Sequence, residues 1–442
     1  MKGSRPKKGL VQPDLFGGEG PAEPLIIPRP EHCLSRKDID REVLKVLYRL
    51  KDNGYIAYLV GGSVRDILLG KRPKDFDVST SAAPEEIRKL FPYSRIIGKR
   101  FRLVHIYFKG GKVIEVSTFR RRTEYDAQRP QNDEGDTEEN IFGTPQEDAL
   151  RRDLTINGLF YNIADFSIID YVDGIADLKK GIIRTIGDPD RRFLRDPVRM
   201  MRAIRHASRT GFFIEQKTWD AILKHKDMIR LCAVPRVRDE WLKDMRSTVS
   251  RKWLELMFKS GLFLSMFPGY AKKIDEKDME AAKGLLLDLS GLLGRMISDG
   301  SVIGEAFIIA LLIYPRLHFM PEWNSLYSER LRWPTQEVRT MVNETVAPYD
   351  FKKSVRDEAA QILAGIWPLK RCLAIGAWPK RIWNKPRFKD IILLHDMIQE
   401  CLGLPVIGPE PHLNPKWKKE TQPQIKRRRR RPKKEGKSKD EA

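Results

Sequence analysis

The chain has 442 residues, of which 82 are lysine or arginine and 60 are aspartate or glutamate, so its formal net charge is +22. A hydrophobic fraction of 41% supports folded cores and excludes a wholly disordered chain, and no apolar run reaches the about 18 residues of a membrane-spanning helix. The four cysteines lie too far apart for a disulfide framework or a metal site, so we expect a soluble, cytoplasmic protein without a membrane partner.

The first third of the chain predicts a small α/β head. Ser35, with Asp38 three residues later, has the pattern of a helix N-cap with a capping box. In chain order, the apolar spacing then predicts a helix ending at Gly54, a strand over 55–60, a short helix over 64–69, a strand over 75–79, a helix over 84–91, and a hairpin of strands over 103–108 and 113–119.

The later part of the chain is mainly helical in pattern. The polar stretch over 121–139 predicts a mobile loop. From about residue 145 the periodicity is helical with one extended patch over 168–172, and almost every apolar pattern beyond 189 is helical. The expected architecture is therefore a small α/β head followed by a longer helical body.

Two glycines stand where the first predicted strand passes into the short helix. Gly61 and Gly62 would let the backbone approach a phosphate, and the helix that follows offers free N–H groups. Arg65, one turn later, is placed to bind the same phosphate. A Gly-Gly turn is also common at tight corners, so this segment alone leaves both interpretations open.

Two carboxylates follow on the next predicted strand. Asp75 and Asp77 are two residues apart, a spacing that places both on one face of a strand. Like charges side by side are unfavourable unless a cation neutralises them, and Mg²⁺ suits an all-oxygen pair and brings the phosphates of its substrate. Glu115, in the predicted hairpin, either completes a two-metal site or faces solvent. With the glycine turn, this pattern predicts metal-assisted phosphoryl or nucleotidyl transfer.

Six segments between residues 40 and 215 carry a resemblance to a known family. Gly61-Gly62-x-Val64-Arg65-Asp66 and Asp75-x-Asp77 resemble the signature of the nucleotidyltransferase superfamily. Arg151-Arg152-Asp153-Leu154-Thr155-Ile156-Asn157 is similar to the segment of its class II branch, which holds the tRNA CCA-adding enzymes and the bacterial poly(A) polymerases. The remaining similar segments are 173–178, 183–184 and 196–202.

The resemblance implies which carboxylates perform the chemistry. Asp75 and Asp77 would hold the two Mg²⁺ ions, for which Mn²⁺ is a substitute, that activate an RNA 3′ hydroxyl and steady the triphosphate of ATP. Asp153 would position the ribose and is sometimes counted among the catalytic residues. Either Glu115 or Asp153 would be the third carboxylate of the metal site.

The resemblance also implies a nucleotide-binding set. The glycine turn and two arginines would face phosphates, Asn157 would help to position the ribose, and residues of the segment from 196 onward would read the base edge. The members of this set are Gly61, Gly62, Arg65, Arg152, Asn157, Asp196, Arg199 and Arg202.

The spacing of residues in the helix predicted to start near Asp196 independently supports a role in recognising the base. Asp196 and Arg199 are three residues apart, on one helix face, and together present an acceptor and donors. Arginines at 199, 202, 205 and 209 continue the stripe, which is either a rail for phosphates or a solvated basic face. Arg195 stands where the family usually has Glu, so nucleotide choice here is either looser or supported by another residue.

The C-terminal segment is strongly basic, with 13 basic and four acidic residues between 416 and 442. A block of like charge cannot fold on itself and predicts a polyanion partner, although a solubility tail is the plain alternative. We expect sequence-indifferent binding of RNA by Arg427, Arg428, Arg429, Arg430 and Arg431.

Three functions compete on this evidence. The segment 96–106, with Phe101-Arg102-Leu103 and His105, closely resembles the poly(A) polymerase side of the family, and the arginine-rich end suits an enzyme that extends many RNA 3′ ends. A tRNA CCA-adding enzyme is the alternative. A non-catalytic RNA-binding protein is the second alternative, which the retained carboxylates disfavour.

The sequence therefore predicts an α+β protein that adds AMP from ATP to RNA 3′ ends, a polynucleotide adenylyltransferase acting in mRNA polyadenylation and decay. Its expected parts are a flexible lead-in over 1–34, a nucleotidyltransferase head with a mixed sheet over 35–165, an all-helical, base-recognising neck over 166–235, a helical RNA-binding body over 236–410 and a disordered basic tail over 411–442.

Overall fold

The computed structural model describes residues 23–98, 102–120, 142–272, 274–320, 335–374 and 386–408. The chain divides into two compact units, Met1–Pro268 and Gly269–Ala442. All strands of the described residues belong to the first unit. They are β1 (Leu25–Ile27), β2 (Ala57–Val60), β3 (Asp77–Thr80), β4 (Ser94–Ile97), β5 (Leu103–Tyr107), β6 (Val113–Thr118), β7 (Leu159–Asn162), β8 (Ile168–Asp170), β9 (Ile182–Ile183) and β10 (Phe213–Ile214).

The helices of the first unit alternate with these strands and then follow them. They are α1 (Arg41–Asp52), α2 (Gly62–Leu68), α3 (Pro84–Leu90), α4 (Pro145–Arg151), α5 (Gly174–Lys180), α6 (Pro189–Arg195), α7 (Val198–Thr210), α8 (Gln216–His225), α9 (Val234–Met245), α10 (Ser250–Lys259) and α11 (Leu262–Met266). Short 3₁₀ turns cover Arg36–Asp38 and Thr155–Asn157. The capping box of Ser35 and Asp38 is present, but it begins the first of these turns rather than α1.

The second unit is helical within its described residues. Its helices are α12 (Glu276–Ser298), α13 (Glu305–Phe319), α14 (Thr335–Val346), α15 (Lys353–Ala374) and α16 (Phe388–Cys401). Every residue from Ala306 to Leu317 in α13 is buried, so this helix forms the centre of the unit, as expected for a helix that is apolar on all sides. Within the described residues, no helix is both long enough and apolar enough to cross a membrane.

Eight strands form one mixed sheet in the order β1-β8-β7-β2-β3-β6-β5-β4. Only β3 and β6 pair in parallel among the neighbours of this sheet; the other pairs are antiparallel. The separate pair β9 and β10 is parallel. A mixed sheet followed by helices is the α+β architecture that the sequence predicts.

The register decides which side chains share a face of the sheet. Val60 pairs with Asp77, Asp77 with Glu115 and Glu115 with His105, so these four side chains project from one face. We call it the front face. A buried cluster around Phe160 packs on the same face. Residues one position along, such as Val78, point to the back face, against which α1 and α3 pack.

Several details differ from the sequence prediction. Asp75 precedes β3 instead of lying in it. The chain over 159–162 is a strand, although its pattern was continuous rather than alternating, because β7 lies between β2 and β8 and is buried on both faces. The predicted flexible lead-in contains β1, an edge strand on β8. The predicted all-helical neck contains β9 and β10 in addition to β8, which coincides with the predicted extended patch over 168–172. The predicted loop over 121–139 and the tail over 411–442 lie outside the described residues.

Candidate functional site

Two carboxylates stand next to each other on the front face. Asp77 begins β3 and is the register partner of Glu115 in the parallel strand β6, so their side chains are neighbours. Desolvation, then the Glu115 carboxylate and Asp75, raises the pKa of Asp77, although Arg152 opposes the shift. Asp75 is exposed, immediately before the strand. The structure thus places the carboxylates of Asp77 and Glu115 side by side, and Asp75 lies two residues before Asp77 in the chain.

These residues fit a hard divalent cation by their chemistry. Their donors are all carboxylate oxygens, the ligands that Mg²⁺ prefers, and their mutual repulsion is what a bound cation relieves. Among the residues that the structure describes, no group of three or more histidine, cysteine, aspartate or glutamate side chains is close enough to hold a metal ion. The register partners Asp77 and Glu115 are therefore the central residues of the candidate metal site.

The turn between β2 and α2 requires glycine at its first position. Gly61 has φ of 74°, in the left-handed region, and a Cβ there would lie 2.9 Å from Nη1 of Arg152. The turn directly follows Val60, the register partner of Asp77. The backbone of the glycine turn, the guanidinium of Arg152 and the carboxylate of Asp77 thus lie at one corner of the sheet.

Arg152 is held in this corner by several groups. Its Nη2 donates to Asp148 Oδ2 at 2.9 Å, its Nη1 donates to the Asn157 carbonyl at 3.4 Å, and its guanidinium lies 5.2 Å from the ring centroid of Phe160. The side chain is one-fifth exposed, and its positive charge opposes the rise in the pKa of Asp77. The Arg152 charge is therefore felt at the carboxylates. Phosphate binding by Arg152 stays a prediction from the sequence.

Arg65 is buried and bonded within the protein. Its Nη1 donates to Asn157 Oδ1 at 2.5 Å and to His206 Nδ1 at 3.2 Å, and its Nη2 donates to Asp66 at 2.8 Å. Burial and then the Arg65 charge lower the pKa of His206 well below its usual value, so the ring is neutral and accepts from Arg65. Arg65 and His206 therefore hold Asn157 in position. No pattern in the sequence indicates a role for His206.

Asp153 is bound by two arginines of α7. Nη1 of Arg199 lies 2.6 Å from one of its carboxylate oxygens, and Nη1 of Arg202 donates to the other at 2.7 Å. Burial alone would raise the pKa of Asp153, but these two positive charges outweigh it and lower the pKa. The carboxylate is therefore ionised and paired, whereas Glu115 is the carboxylate beside Asp77.

Asp196 has one bonded and one unbonded oxygen. Nη2 of Arg236, from α9, donates to Oδ2 at 2.8 Å, and Nε of Arg199 lies 3.5 Å from the same atom. Oδ1 is buried and has no hydrogen-bond partner in the structure. An unsatisfied buried acceptor is costly, so this oxygen is suited to a donor from a ligand.

The arginine stripe of α7 is an internal ion-paired ladder, neither the open phosphate rail nor the solvated face that its spacing suggested. Arg202 and Arg205 pair with Glu240, and Arg205 and Arg209 pair with Asp244. Both acids belong to α9. The signal for them was the i and i+4 spacing of two acids on one helix, but nothing in it indicated that α9 would cover α7.

Two other predicted features lie outside the described residues. These are the tail arginines from Arg427 to Arg431 and part of the segment 96–106, in which 99–101 are not described. Of that segment, Arg102 forms an ion pair with Glu85, and Nε2 of His105 lies 3.7 Å from Glu115.

Comparison with known proteins identifies two family models along the chain. Residues 57–184 match the model described as "Poly A polymerase head domain". Residues 211–274 match the model described as "Probable RNA and SrmB- binding site of polymerase A". The first match contains the corner with Asp77, Glu115 and Arg152, and the second contains Arg236 and the acids of α9.

Curated relatives include both activities of the class II branch. Poly(A) polymerase I of Escherichia coli is 41% identical over 298 residues, 66% of this chain and 64% of that protein, and the chain thus spans somewhat less than two thirds of that relative. The CCA-adding enzyme of Lactobacillus helveticus is also 41% identical, but over 207 residues, 47% of this chain and 50% of that protein.

Among solved structures, the CCA-adding enzyme of Bacillus stearothermophilus in complex with CTP is similar to this chain. The TM-score is 0.60 and the sequence identity is 27%, and the superposition covers 86% of this chain and 80% of that one. A mixed-sheet head followed by helices is therefore a known fold.

Proposed function

We propose that this chain, which is similar in sequence to enzymes of the class II nucleotidyltransferase family, is a template-independent poly(A) polymerase, which adds AMP from ATP to RNA 3′ ends and releases pyrophosphate. The observation that carries this choice over CCA addition is the length of the match. At equal identity, the poly(A) polymerase of Escherichia coli aligns over 298 residues and the CCA-adding enzyme of Lactobacillus helveticus over 207. A place in the cytoplasm and a role in mRNA polyadenylation and decay are part of the proposal.

The carboxylates supply the site for divalent ions. Asp77, Glu115 and Asp75 would hold Mg²⁺, or Mn²⁺ in its place, because their charges repel one another and their donors are all oxygens. When bound, these ions activate the 3′ hydroxyl of RNA and neutralise charge on the triphosphate. Asp77 and Glu115 thus place their negative charges next to the end of β2, beside the glycine turn.

The remaining residues would bind and orient ATP. The Gly61 turn lets the backbone approach the triphosphate, and Arg152 adds a positive charge above Asp77. Asn157, fixed by Arg65, would contact the ribose. Asp196 Oδ1 would accept a hydrogen bond from the exocyclic amino group of adenine, since it is a buried acceptor without a partner.

A polymerisation assay tests the proposed function. The protein is given ATP, CTP, GTP or UTP singly with Mg²⁺, on an unstructured oligonucleotide and on a tRNA that lacks its terminal CCA. We expect long ladders with ATP alone on both RNAs. Addition confined to the tRNA, which needs CTP first and stops after three nucleotides, would instead establish a CCA-adding enzyme.

Arg236 is expected to support nucleotide choice in place of the Glu that the family usually has at position 195. Replacing Arg236 with Gln removes the donor to Asp196 Oδ2 and releases the carboxylate. Loss of a charge-assisted hydrogen bond of about 1.5 kcal/mol should lower the ratio of kcat/KM for ATP to that for CTP about tenfold. Single-turnover incorporation with each nucleotide measures this ratio.

Arg238 provides the matched control. It lies on the same helix, and its Nε donates a hydrogen bond to the exposed Asp239. The Arg238→Gln variant should keep the wild-type selectivity. Equal selectivity in both variants would show that Arg236 does not fix Asp196.

A further inference from the structure

Three side chains next to the glycine turn form a closed triangle of polar contacts. Nη1 of Arg65 donates to Asn157 Oδ1 at 2.5 Å and to His206 Nδ1 at 3.2 Å. The other ring nitrogen of His206, Nε2, lies 3.3 Å from Asn157 Nδ2. Within the described part of the chain, neither Nε2 nor Nδ2 has another hydrogen-bond partner. The position of the proton on the His206 ring therefore decides whether this last contact is a hydrogen bond.

The tautomer of His206 follows from its contact with Arg65. Burial lowers the pKa of His206, so its ring is neutral and has one donor nitrogen and one acceptor nitrogen. Arginine only donates, so Nδ1 is the acceptor and Nε2 carries the proton. The amide nitrogen of Asn157 is a donor as well, and the contact at 3.3 Å therefore sets two N–H groups against each other. The reverse tautomer would set an N–H against a charged guanidinium, which is less favourable.

Exchanging the oxygen and nitrogen of the Asn157 amide does not remove this conflict. The amide nitrogen would then lie 2.5 Å from Nη1 of Arg65, a distance that suits a charge-assisted hydrogen bond to oxygen and not two donors. Oδ1 of Asn157 is therefore the atom that accepts from Arg65. The triangle consequently holds two N–H groups, on Nε2 of His206 and Nδ2 of Asn157, that have no acceptor among the described residues.

The chemistry of these two donors restricts what they can bind. Arg65 is already paired with Asp66 at 2.8 Å, and the two free N–H groups are neutral, so this place has no free positive charge for a phosphate. A ring nitrogen of a base has one lone pair, whereas a hydroxyl oxygen has two and accepts from both groups. Asn157 and His206 are partly exposed, and Nη2 of Arg65 lies 3.5 Å from where a Cβ of Gly62 would be. The acceptor that fits is a ribose hydroxyl of a nucleotide at the glycine turn.

We propose that His206 determines specificity for ribonucleotides, because its Nε2–H donates, together with Nδ2–H of Asn157, to one ribose hydroxyl of the incoming nucleotide. A deoxynucleotide that lacks this hydroxyl leaves both N–H groups without an acceptor, which is costly in a largely buried place. The inference rests on the proposed function in taking a nucleoside triphosphate as the ligand. It concerns the sugar and not the base, so it applies to ATP and CTP alike.

Equilibrium binding without RNA tests the inference, because no nucleotide transfer follows. Isothermal titration calorimetry of the full chain compares Mg²⁺–ATP with its 2′-deoxy and 3′-deoxy analogues. We expect the wild-type protein to bind ATP more tightly than one of the two analogues, which identifies the hydroxyl. His206→Asn keeps an acceptor near the position of Nδ1 and has no group at the position of Nε2. This variant should lower the preference for ATP about fivefold, the equivalent of one neutral hydrogen bond of about 1 kcal/mol.

Two other variants separate this role from a structural one. His206→Gln keeps an N–H group at about the position of Nε2 and should retain most of the preference. Ser208→Ala, also in α7, removes a hydroxyl that donates to the backbone carbonyls of Ile204 and Arg205, and it should have no effect. An unchanged preference in His206→Asn, or an equal fall in His206→Gln, would overturn the proposal. So would an equal loss of affinity for ATP and both analogues, which would indicate a contact with the phosphates or the base.

The tautomer gives a second measurement that needs no nucleotide. Nitrogen NMR of the protein labelled at histidine should show His206 with a proton on Nε2 and none on Nδ1, and the signal is assigned by its loss in His206→Asn. A proton on Nδ1 would contradict the inference. Failure of the proposed function is distinguishable from failure here. A chain that adds CCA to tRNA should show the same preference with CTP and its deoxy analogues, whereas poly(A) synthesis without the preference would refute the role of His206 alone.

Discussion

Replacing Asp77 with Asn is expected to reduce nucleotide incorporation at least about 10³-fold, since loss of a metal-binding carboxylate removes roughly 4 kcal/mol of transition-state stabilisation. The fold should survive, because the substitution is nearly isosteric and removes the repulsion between Asp77 and Glu115. Primer extension measures the loss, and thermal unfolding should give a midpoint no lower than that of wild type. Asp220→Asn, an exposed change in α8, should retain full activity.

The same assay decides which carboxylate completes the metal site. Glu115→Gln should raise the Mg²⁺ concentration needed for half-maximal rate, because Glu115 is the register partner of Asp77. Asp153→Asn should leave that concentration unchanged, because Asp153 pairs with Arg199 and Arg202. Wild-type rates in the Asp77 variant would contradict the assignment of the site. No incorporation by the wild-type protein would favour a non-catalytic RNA-binding protein.

Replacing Asp244 with Ala is expected to destabilise the first unit by about 3–5 kcal/mol. Asp244 is 1% exposed and accepts hydrogen bonds from Nε and Nη2 of Arg205 at 2.5 and 2.9 Å, and Arg205 is itself 5% exposed. Removing the acid leaves a buried guanidinium with Glu240 as its remaining partner. Because the chain has two units, hydrogen exchange of peptides from α7 and α9 is the suitable measurement.

Two further variants show whether the effect comes from an uncompensated charge. Asp239→Ala, on the exposed side of α9, should change exchange very little. Arg205→Met combined with Asp244→Leu should recover much of the lost protection, because a buried ion pair can be replaced by apolar groups. If the double variant is as unstable as Asp244→Ala, packing and not charge explains the loss.

The sequence predicted the head well where signals were local. The hairpin of β5 and β6, the glycine turn and the elements α1, β2, α2, β3 and α3 follow from short patterns of apolar residues, glycine and proline, whereas strand β4 was not predicted. Strand β7 was missed because a strand buried on both faces shows no alternation. Strand β1 was missed because its pairing with β8 joins positions about 140 residues apart.

The candidate site was predicted only in part, because several of its contacts also join residues that are far apart in the sequence. The spacing predicted Asp196 and Arg199 on one helix face, but Asp196 lies between α6 and α7 with non-helical backbone. The partners of Asp196 and Arg205 are on α9, about 40 residues away. Sequence patterns show which residues share a face and not what covers that face. The arginine stripe of α7 was therefore taken for a surface, and His206 was given no role.

The alternation along β3 and β6 links correct folding to catalytic competence. Asp77 and Glu115 face the open side of the sheet, whereas Val78 and Val116, the next residues, are fully buried behind it. A slip of one residue in either strand would bury an acid and expose a valine, at a cost of several kcal/mol. A head with a shifted strand register is thus too unstable to stay folded. Molecules that fold should therefore also be the molecules that are active.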